Sequence, residues 1–260
     1  MIRHHEIFLA PPFSELWKDA DPFAEAAALE GEEFRKVKSR RTFRFEVEGR
    51  GFFAKIHHGV GWREIFKNLF QFKLAVLGAA NEFYALKKLH TLGVDTMTAA
   101  AYGSKGINPA VRESFLITEE LKNMVTLEDL GRTALPGAVR RRLIKLVAES
   151  AGRMHASGIN HRDCYICHYL TCKETLSMPG KVFVIDLHRA QLRRQIPYRY
   201  HIKDVAGLHF SSMDAGLSRQ DRLRFISCYC RNFPALRNNK KFWCDVERTA
   251  VKLYKKEHGR

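Results

Sequence analysis

The stretch that decides the fold is His161-Arg162-Asp163-Cys164-Tyr165-Ile166-Cys167-His168, which follows a long apolar-striped segment. That segment runs over residues 136–157, and its apolar side chains recur at helical spacing: Leu143, Val147, Ala151 and Met154. Proline suits the first turn of a helix and glycine follows its end, so Pro136 and Gly158 mark the predicted boundaries. Asp163 is therefore expected in a loop after a long helix.

Two further residues give this loop a chemical context. Asp186 ends the apolar run 182–185, which predicts a buried strand, and Lys55 lies inside an earlier predicted strand. Taken singly, an Asp after a strand is usually a turn residue and a strand Lys usually faces solvent. The order of strand Lys, helix carboxylate, His-Arg-Asp loop and strand-ending Asp is that of the protein-kinase signature set.

The remaining pattern divides the chain into a β-rich and a helical half. Residues 43–47 and 52–56 alternate in polarity around the turn Gly49-Arg50-Gly51, which predicts an antiparallel hairpin. Helices are predicted at 62–70 and 79–92, strands at 33–37, 98–102 and 114–118, and mainly helix beyond 203. The sequence thus predicts an α+β, two-lobed protein-kinase-like fold, with a β-rich N-lobe containing one key helix and a mainly helical C-lobe.

The loop string and Ile185-Asp186-Leu187-His188-Arg189-Ala190-Gln191 resemble the lipopolysaccharide core heptose I kinase (WaaP/RfaP) family of Gram-negative bacteria. Residues 93–97 and 210–213 also resemble this family, and the likeness covers nearly the whole chain. The resemblance implies ATP-dependent phosphorylation of a heptose of the lipopolysaccharide inner core. We expect an acidic N-terminal adapter at 1–33, an ATP-binding N-lobe at 34–120, and a catalytic, substrate-binding C-lobe at 121–260.

The resemblance also implies roles for particular side chains. Asp163 would be the catalytic residue that accepts the proton of the attacking sugar hydroxyl, and Asp186 would hold Mg²⁺. Lys55 would bind the ATP phosphates. Glu82 is the expected helix carboxylate that orients Lys55, because it shares the inward stripe of its helix; Glu64 is the competing choice.

Three positions depart from the protein-kinase pattern. No glycine-rich loop precedes Lys55, so phosphate contact at the turn 38–42 would use backbone amides with Arg40 or Arg41. His168 stands where protein kinases place a metal-binding Asn, and Mg²⁺ prefers oxygen ligands, so its expected metal role is open. Leu187-His188 replaces the usual Phe-Gly pair, which indicates a constitutive small-molecule kinase.

Glu119 and Leu121 mark the expected hinge, where backbone groups would bind adenine.

The charge indicates an anionic partner. The chain has 44 Lys and Arg against 28 Asp and Glu, and residues 1–33 hold eight of the acids but only two of the bases. The rest of the chain is therefore strongly basic. With the resemblance, this charge fits the inner-core lipopolysaccharide acceptor, an anionic membrane surface and the acidic acyl carrier protein, at a cytoplasmic location peripheral to the inner membrane.

Other functions are alternatives to the predicted heptose kinase. A protein kinase, acting on tyrosine, would use the same residues. A nucleic-acid binder would suit the charge, but no recognised nucleic-acid-binding motif is present, so no specific nucleic acid is expected. His161, Cys164, Cys167 and His168 have the chemistry of a zinc site, although eight consecutive residues wrap a tetrahedral ion with difficulty. The six cysteines are expected to be thiols in the cytosol.

Overall fold

The computed structural model describes residues 5–37, 40–59, 61–63, 66 and 78–259. Their contacts divide the chain into two compact units. The N-terminal unit lies within residues 1–87 and 97–121, and the C-terminal unit within residues 88–96 and 122–260. The first unit ends at Leu121, in the stretch where the sequence predicts a hinge.

The N-terminal unit is built on a six-stranded antiparallel sheet. Its strands are β1 (His5–Leu9), β2 (Glu32–Val37), β3 (Arg40–Val47), β4 (Arg50–His58), β5 (Ala99–Lys105) and β6 (Glu113–Glu119). They lie in the order β1-β5-β6-β4-β3-β2. The predicted hairpin is confirmed as β3–β4, in which Phe45 lies opposite Phe52. Its turn places Glu48 and Gly49 at positive φ, a conformation that glycine adopts readily.

The core of this unit is aromatic and includes the start of the chain. Two short helices, α1 (Phe13–Leu16) and α2 (Pro22–Ala28), follow β1. Phe13 is buried against Phe52, with ring centroids 5.1 Å apart. Residues 5–28, which lie in the segment that the sequence sets apart as an acidic adapter, thus contribute a strand, two helices and core side chains to the N-terminal unit.

Helix α3 (Ala80–Thr91) confirms the prediction of a helix at 79–92. Its side chains Phe83, Leu86 and Leu89 are buried at helical spacing, and the Phe83 ring stacks 4.0 Å from that of Tyr102. Glu82 lies on the same stripe and is 1% exposed. Most of the helix predicted at 62–70 lies outside the described residues.

The C-terminal unit is mainly helical, as predicted. Its helices are α4 (Leu127–Gly131), α5 (Gly137–Ala156), α6 (Tyr198–Ser211), α7 (Arg219–Tyr229) and α8 (Lys240–Glu257). Five short strands form two small sheets: β7 (Met124–Thr126), β8 (Ile159–Asn160), β9 (Tyr169–Cys172), β10 (Phe183–Val184) and β11 (Gln191–Leu192). Helix α5 matches the long predicted helix, and Gly158 follows it at φ +78°.

Among the described residues, no helix combines the length and apolar character needed to span a bilayer.

Candidate active site

Lys55 and Glu82 form an ion pair inside the N-terminal unit. Strand β4 places Lys55 between Thr42 of β3 and Leu116 of β6. Its Nζ lies 2.6 Å from Glu82 Oε1, and the two side chains are 18% and 1% exposed. A carboxylate buried this deeply requires a cation, which explains why the inward stripe of α3 carries a glutamate. The competing residue, Glu64, lies outside the described residues.

The loop that carries Asp163 is anchored to helix α6 of the same unit by Asp204. The Asp204 carboxylate is 1% exposed and accepts hydrogen bonds from the backbone amides of His161, at 2.6 Å, and Arg162, at 2.9 Å. Arg162 has φ +73°, an uncommon conformation for a non-glycine residue that this anchor helps to hold. Asp204 thus stabilises this loop from helix α6.

Glycine at position 207 lets the loop lie directly on α6. A Cβ atom on Gly207 would come 2.6 Å from the carbonyl oxygen of Cys164, which is closer than van der Waals contact allows. Any side chain here would push the loop away from Asp204, which lies one turn earlier on the same helix face. Asp204 and Gly207 together hold the loop that carries Asp163 close against α6.

Arg189 fixes the side chain of Asp163. Its Nη1 atom donates to both carboxylate oxygens of Asp163, at 2.8 and 2.9 Å. Arg189 ends a 3₁₀ turn, Leu187–Arg189, that directly follows Asp186. The sequence points to Arg189 only by its place three residues after Asp186, which does not reveal its partner. The contact therefore links Asp163 to the turn that follows Asp186.

Asp186 is the second carboxylate of this arrangement and has a left-handed backbone, with φ 58°. Its Oδ1 accepts a hydrogen bond from His188 Nδ1 at 2.5 Å, and its Oδ2 lies 3.6 Å from His168 Nε2. His168 Nδ1 donates to the carbonyl of Asp163 at 2.7 Å, which directs Nε2 toward Asp186. Burial opposes protonation of His168, but Cys167 and the Asp163 carbonyl outweigh it and raise its pKa to about 9.

The zinc alternative finds little support in this loop. His161 Nε2 donates to the Ile185 carbonyl at 2.9 Å, so this nitrogen is occupied. Burial raises the pKa of the Cys164 thiol well above its usual range, whereas zinc requires a thiolate. Within the described residues, the ligand atoms that lie within 4.8 Å of one another belong to His155, Cys164 and Asp204. Asp204 is already committed to two backbone amides.

The remaining predicted site residues have other partners in the structure. Arg41 Nε lies 3.0 Å from Glu33 Oε1, and its guanidinium lies over the Phe43 ring. Glu119 pairs with Arg50, and its backbone amide donates to the Thr98 carbonyl at 2.9 Å. Leu121 is partly buried. Their roles in ATP binding therefore stay predictions.

Comparison with known proteins identifies the family. Residues 24–229 match the model of the lipopolysaccharide kinase (Kdo/WaaP) family. A lipopolysaccharide core heptose(I) kinase WaaP of Pseudomonas aeruginosa is 47% identical, over 96% of this chain and 97% of its own. An Escherichia coli protein of the same name is 48% identical, over 85% and 86%.

A solved structure agrees with these relatives. The chain resembles a structure described as WaaP in complex with acyl carrier protein, with a TM-score of 0.82 and 41% identity, over 96% of this chain and 99% of that one. The kinase-like α+β fold and the family resemblance expected from the sequence are thereby confirmed. The chain belongs to the lipopolysaccharide kinase (Kdo/WaaP) family.

Proposed function

We propose that this chain transfers the γ-phosphate of ATP to a heptose hydroxyl of the lipopolysaccharide inner core. The observation that carries the proposal is the fixed position of the Asp163 carboxylate. Its loop is anchored by Asp204, and Arg189 donates hydrogen bonds to the carboxylate itself. Phosphoryl transfer depends mainly on positioning and charge neutralisation, which such a fixed carboxylate supplies. The names of the relatives support heptose as the acceptor.

Asp163 would orient the sugar hydroxyl and accept its proton as the hydroxyl attacks the γ-phosphorus. Arg189 donates to both oxygens of the Asp163 carboxylate, which holds this side chain in one rotamer. Lys55 would bind the phosphates of ATP while Glu82 keeps its ammonium group in place. Arg41 is the further candidate for phosphate contact, and the backbone at Glu119 and Leu121 for adenine.

Asp186 has the ligand chemistry that suits Mg²⁺. It offers carboxylate oxygens, the ligand type that Mg²⁺ prefers, and His188 fixes its orientation through Oδ1. Bound there, Mg²⁺ would neutralise charge on the β- and γ-phosphates. His168 is the second candidate ligand through Nε2, which would have to lose its proton first, because the pKa of His168 is raised to about 9. An imidazole nitrogen also suits Mg²⁺ less well than an oxygen. The hydrogen bond to the Asp163 carbonyl sets the direction of this nitrogen.

The test is transfer of labelled phosphate. Purified chain with Mg²⁺ and γ-labelled ATP should label a glycolipid that contains inner-core heptose, and should not label the same glycolipid lacking heptose. Asp163→Asn should reduce the rate by at least about 10³-fold, because the proton acceptor is lost. Asp214→Asn, at an exposed carboxylate of the C-terminal unit, is the matched control and should keep the wild-type rate.

Two outcomes would contradict the proposal. Near-wild-type transfer by Asp163→Asn would remove Asp163 from the chemistry. Labelling of proteins, with no label in the heptose glycolipid, would favour a protein kinase on the same residues.

We also infer that the chain binds acyl carrier protein. The structural relative was solved in such a complex. The C-terminal unit contains a cavity of about 610 Å³ with a mainly apolar lining from α4 to α8. This volume falls in the range of about 300–1,000 Å³ of sites that bury a ligand. Exposed Arg219 and Arg222 also line it, and an acidic carrier would complement their charge.

Titration calorimetry separates the apolar from the charged contribution to the affinity for acyl carrier protein. The chain should bind palmitoylated carrier more tightly than the unacylated carrier, because the cavity would receive the acyl chain. Arg222→Glu should weaken both interactions, whereas Arg248→Glu, at an exposed pair on α8, should change neither. Equal affinity for acylated and unacylated carrier would exclude the cavity from binding.

We further propose that the chain is cytoplasmic and associates peripherally with the inner membrane. Basic residues cluster at 35–44, 140–145, 193–203 and 252–260, and each base near an anionic surface contributes about 1 kcal/mol. Vesicles with phosphatidylglycerol should carry the chain upward in a density gradient, and phosphatidylcholine vesicles should not. Equal flotation with both lipids would contradict an electrostatic association.

A further inference from the structure

A chain of buried polar side chains joins three helices of the C-terminal unit. It consists of His155 from α5, Tyr229 at the end of α7 and His201 from α6, which are 2%, 0% and 8% exposed. The Tyr229 hydroxyl lies 2.6 Å from His155 Nδ1 and 2.5 Å from His201 Nε2. At the other edge of its ring, His155 Nε2 lies 3.4 Å from Asp204 Oδ2.

The partners determine the direction of these hydrogen bonds. An ionised Asp204 only accepts, so the favourable tautomer of His155 carries its proton on Nε2 and accepts through Nδ1. Tyr229 then donates its hydroxyl proton to His155, and burial keeps that proton in place by raising the pKa of Tyr229. The Tyr229 oxygen accepts from His201 Nε2. The hydrogen bonds therefore run from His201 through Tyr229 to His155, whose Nε2 lies 3.4 Å from Asp204 Oδ2 without forming a hydrogen bond to it.

Asp204 connects this chain to the loop that carries Asp163. The oxygen that faces His155, Oδ2, is also the oxygen that accepts from the His161 amide at 2.6 Å. The Nε2 proton is close enough to attract the Asp204 carboxylate without a hydrogen bond, and this attraction opposes rotation of the carboxylate away from the loop. Aligned hydrogen bonds in a low dielectric polarise one another, which strengthens the attraction. Loss of the Tyr229 hydroxyl would leave His155 Nδ1 without its hydrogen-bond donor and would remove the contact that holds the His155 ring beside Asp204.

We propose that Tyr229 is a positioning residue for phosphoryl transfer, acting through His155 and Asp204 to fix the loop that carries Asp163. The hydrogen bonds of Tyr229 go to His155 and His201 and not to Asp163, so the effect of Tyr229 on Asp163 is indirect. The kinetic part of this proposal rests on the proposed kinase function. Its structural part, the fixing of the loop, is independent of substrate.

The test is Tyr229→Phe in the full chain, which removes one oxygen atom and keeps the ring. We expect kcat to fall about tenfold or more, with KM for ATP within about twofold, because a displaced catalytic group slows chemistry more than binding. Hydrogen exchange at the His161 and Arg162 amides should accelerate about tenfold. Tyr198→Phe, which removes an exposed tyrosine hydrogen bond to Asp245 at the start of α6, should change neither.

Each result decides the proposal. If amide exchange at 161–162 or kcat is unchanged in Tyr229→Phe, the proposal is overturned, since it requires both. If Tyr229→Phe does not fold, His201→Gln and His201→Leu replace it. Gln retains an N–H donor for the Tyr229 oxygen and should rescue exchange protection and kcat relative to Leu; equal behaviour of the two variants overturns the proposal.

A wild-type chain that phosphorylates no heptose would defeat the proposed function instead. The exchange measurement would still report whether the Tyr229 hydroxyl fixes the loop.

Discussion

Removal of Lys55 should destabilise the chain mainly by leaving Glu82 charged and buried. Glu82 is 1% exposed and its Oε1 lies 2.6 Å from Lys55 Nζ. Removing one partner of a buried ion pair costs about 3–5 kcal/mol, because the other charge is left without compensation. Lys55 is 18% exposed, so water reaches its end of the pair and the low end, about 3 kcal/mol, applies to Lys55→Met.

Urea unfolding followed by circular dichroism measures this cost. With a slope of about 2 kcal/mol per molar urea, the midpoint should fall by about 1.5 M. The double variant Lys55→Met/Glu82→Leu should recover about 2 kcal/mol of the loss, because an apolar pair of similar volume has no buried charge. Lys181→Met is the control: its pair with Asp95 is 65% and 34% exposed, so the midpoint should hardly move.

The refuting result is specific. A double variant no more stable than Lys55→Met would show that the loss comes from packing and not from the uncompensated Glu82 charge. The same reasoning would fail if Lys55→Met and Lys181→Met shifted the midpoint equally.

Three further predictions concern the C-terminal unit. Arg189→Ala should lower kcat about tenfold, because Asp163 loses the donor that contacts both of its oxygens; a wild-type kcat would contradict this. Its unfolding midpoint should fall less than that of Lys55→Met, because the Asp163 side chain is 16% exposed and that of Glu82 is 1% exposed. Gly158→Ala should lower the thermal midpoint by at least about 3 °C, since its Cβ would overlap the Arg193 carbonyl oxygen at a residue with positive φ, whereas Gly180→Ala, with open space around it, should not. Burial lowers the pKa of His201 to about 3, so only in the unfolded state does His201 take up a proton as the pH falls below about 6.5. The free energy of unfolding should therefore drop by up to about 1.4 kcal/mol per pH unit below that pH. Urea titrations at pH 7, 6 and 5 should show this slope, and His201→Gln should flatten it.

Features with a local signature could be predicted from the sequence. The hairpin β3–β4 follows from alternating polarity, and helix α5 with its glycine end follows from helical spacing. The Glu82 side chain could be placed inward because it shares a stripe with Leu86 and Leu89, and a buried carboxylate requires a cation such as Lys55. In each case, a short window of residues contains the physical cause.

Features that depend on distant segments could not be predicted. Strand β1 pairs with residues about a hundred positions later, and nothing in residues 5–9 specifies that partner. The ion pair between Arg189 and Asp163 depends on the 3₁₀ turn that follows Asp186. Tyr229 is an ordinary aromatic residue of a helix end until α5 and α6 bring two histidines to its hydroxyl. The strand expected at 182–185 is only Phe183–Val184, because the left-handed backbone of Asp186 ends it.

Strand β1 is an edge strand of the N-terminal sheet and pairs with β5 over five residues. No residue of β1 is fully buried, whereas residues 100–104 of β5 are. A chain shortened past Leu9 would therefore replace a half-exposed edge by an apolar one, while Asp163 and Asp186 stayed in the chain. Open edges act as templates for strands of other molecules, and an apolar edge does so more strongly. Such a truncation should aggregate, so a loss of activity on trimming should be accompanied by a loss of soluble protein.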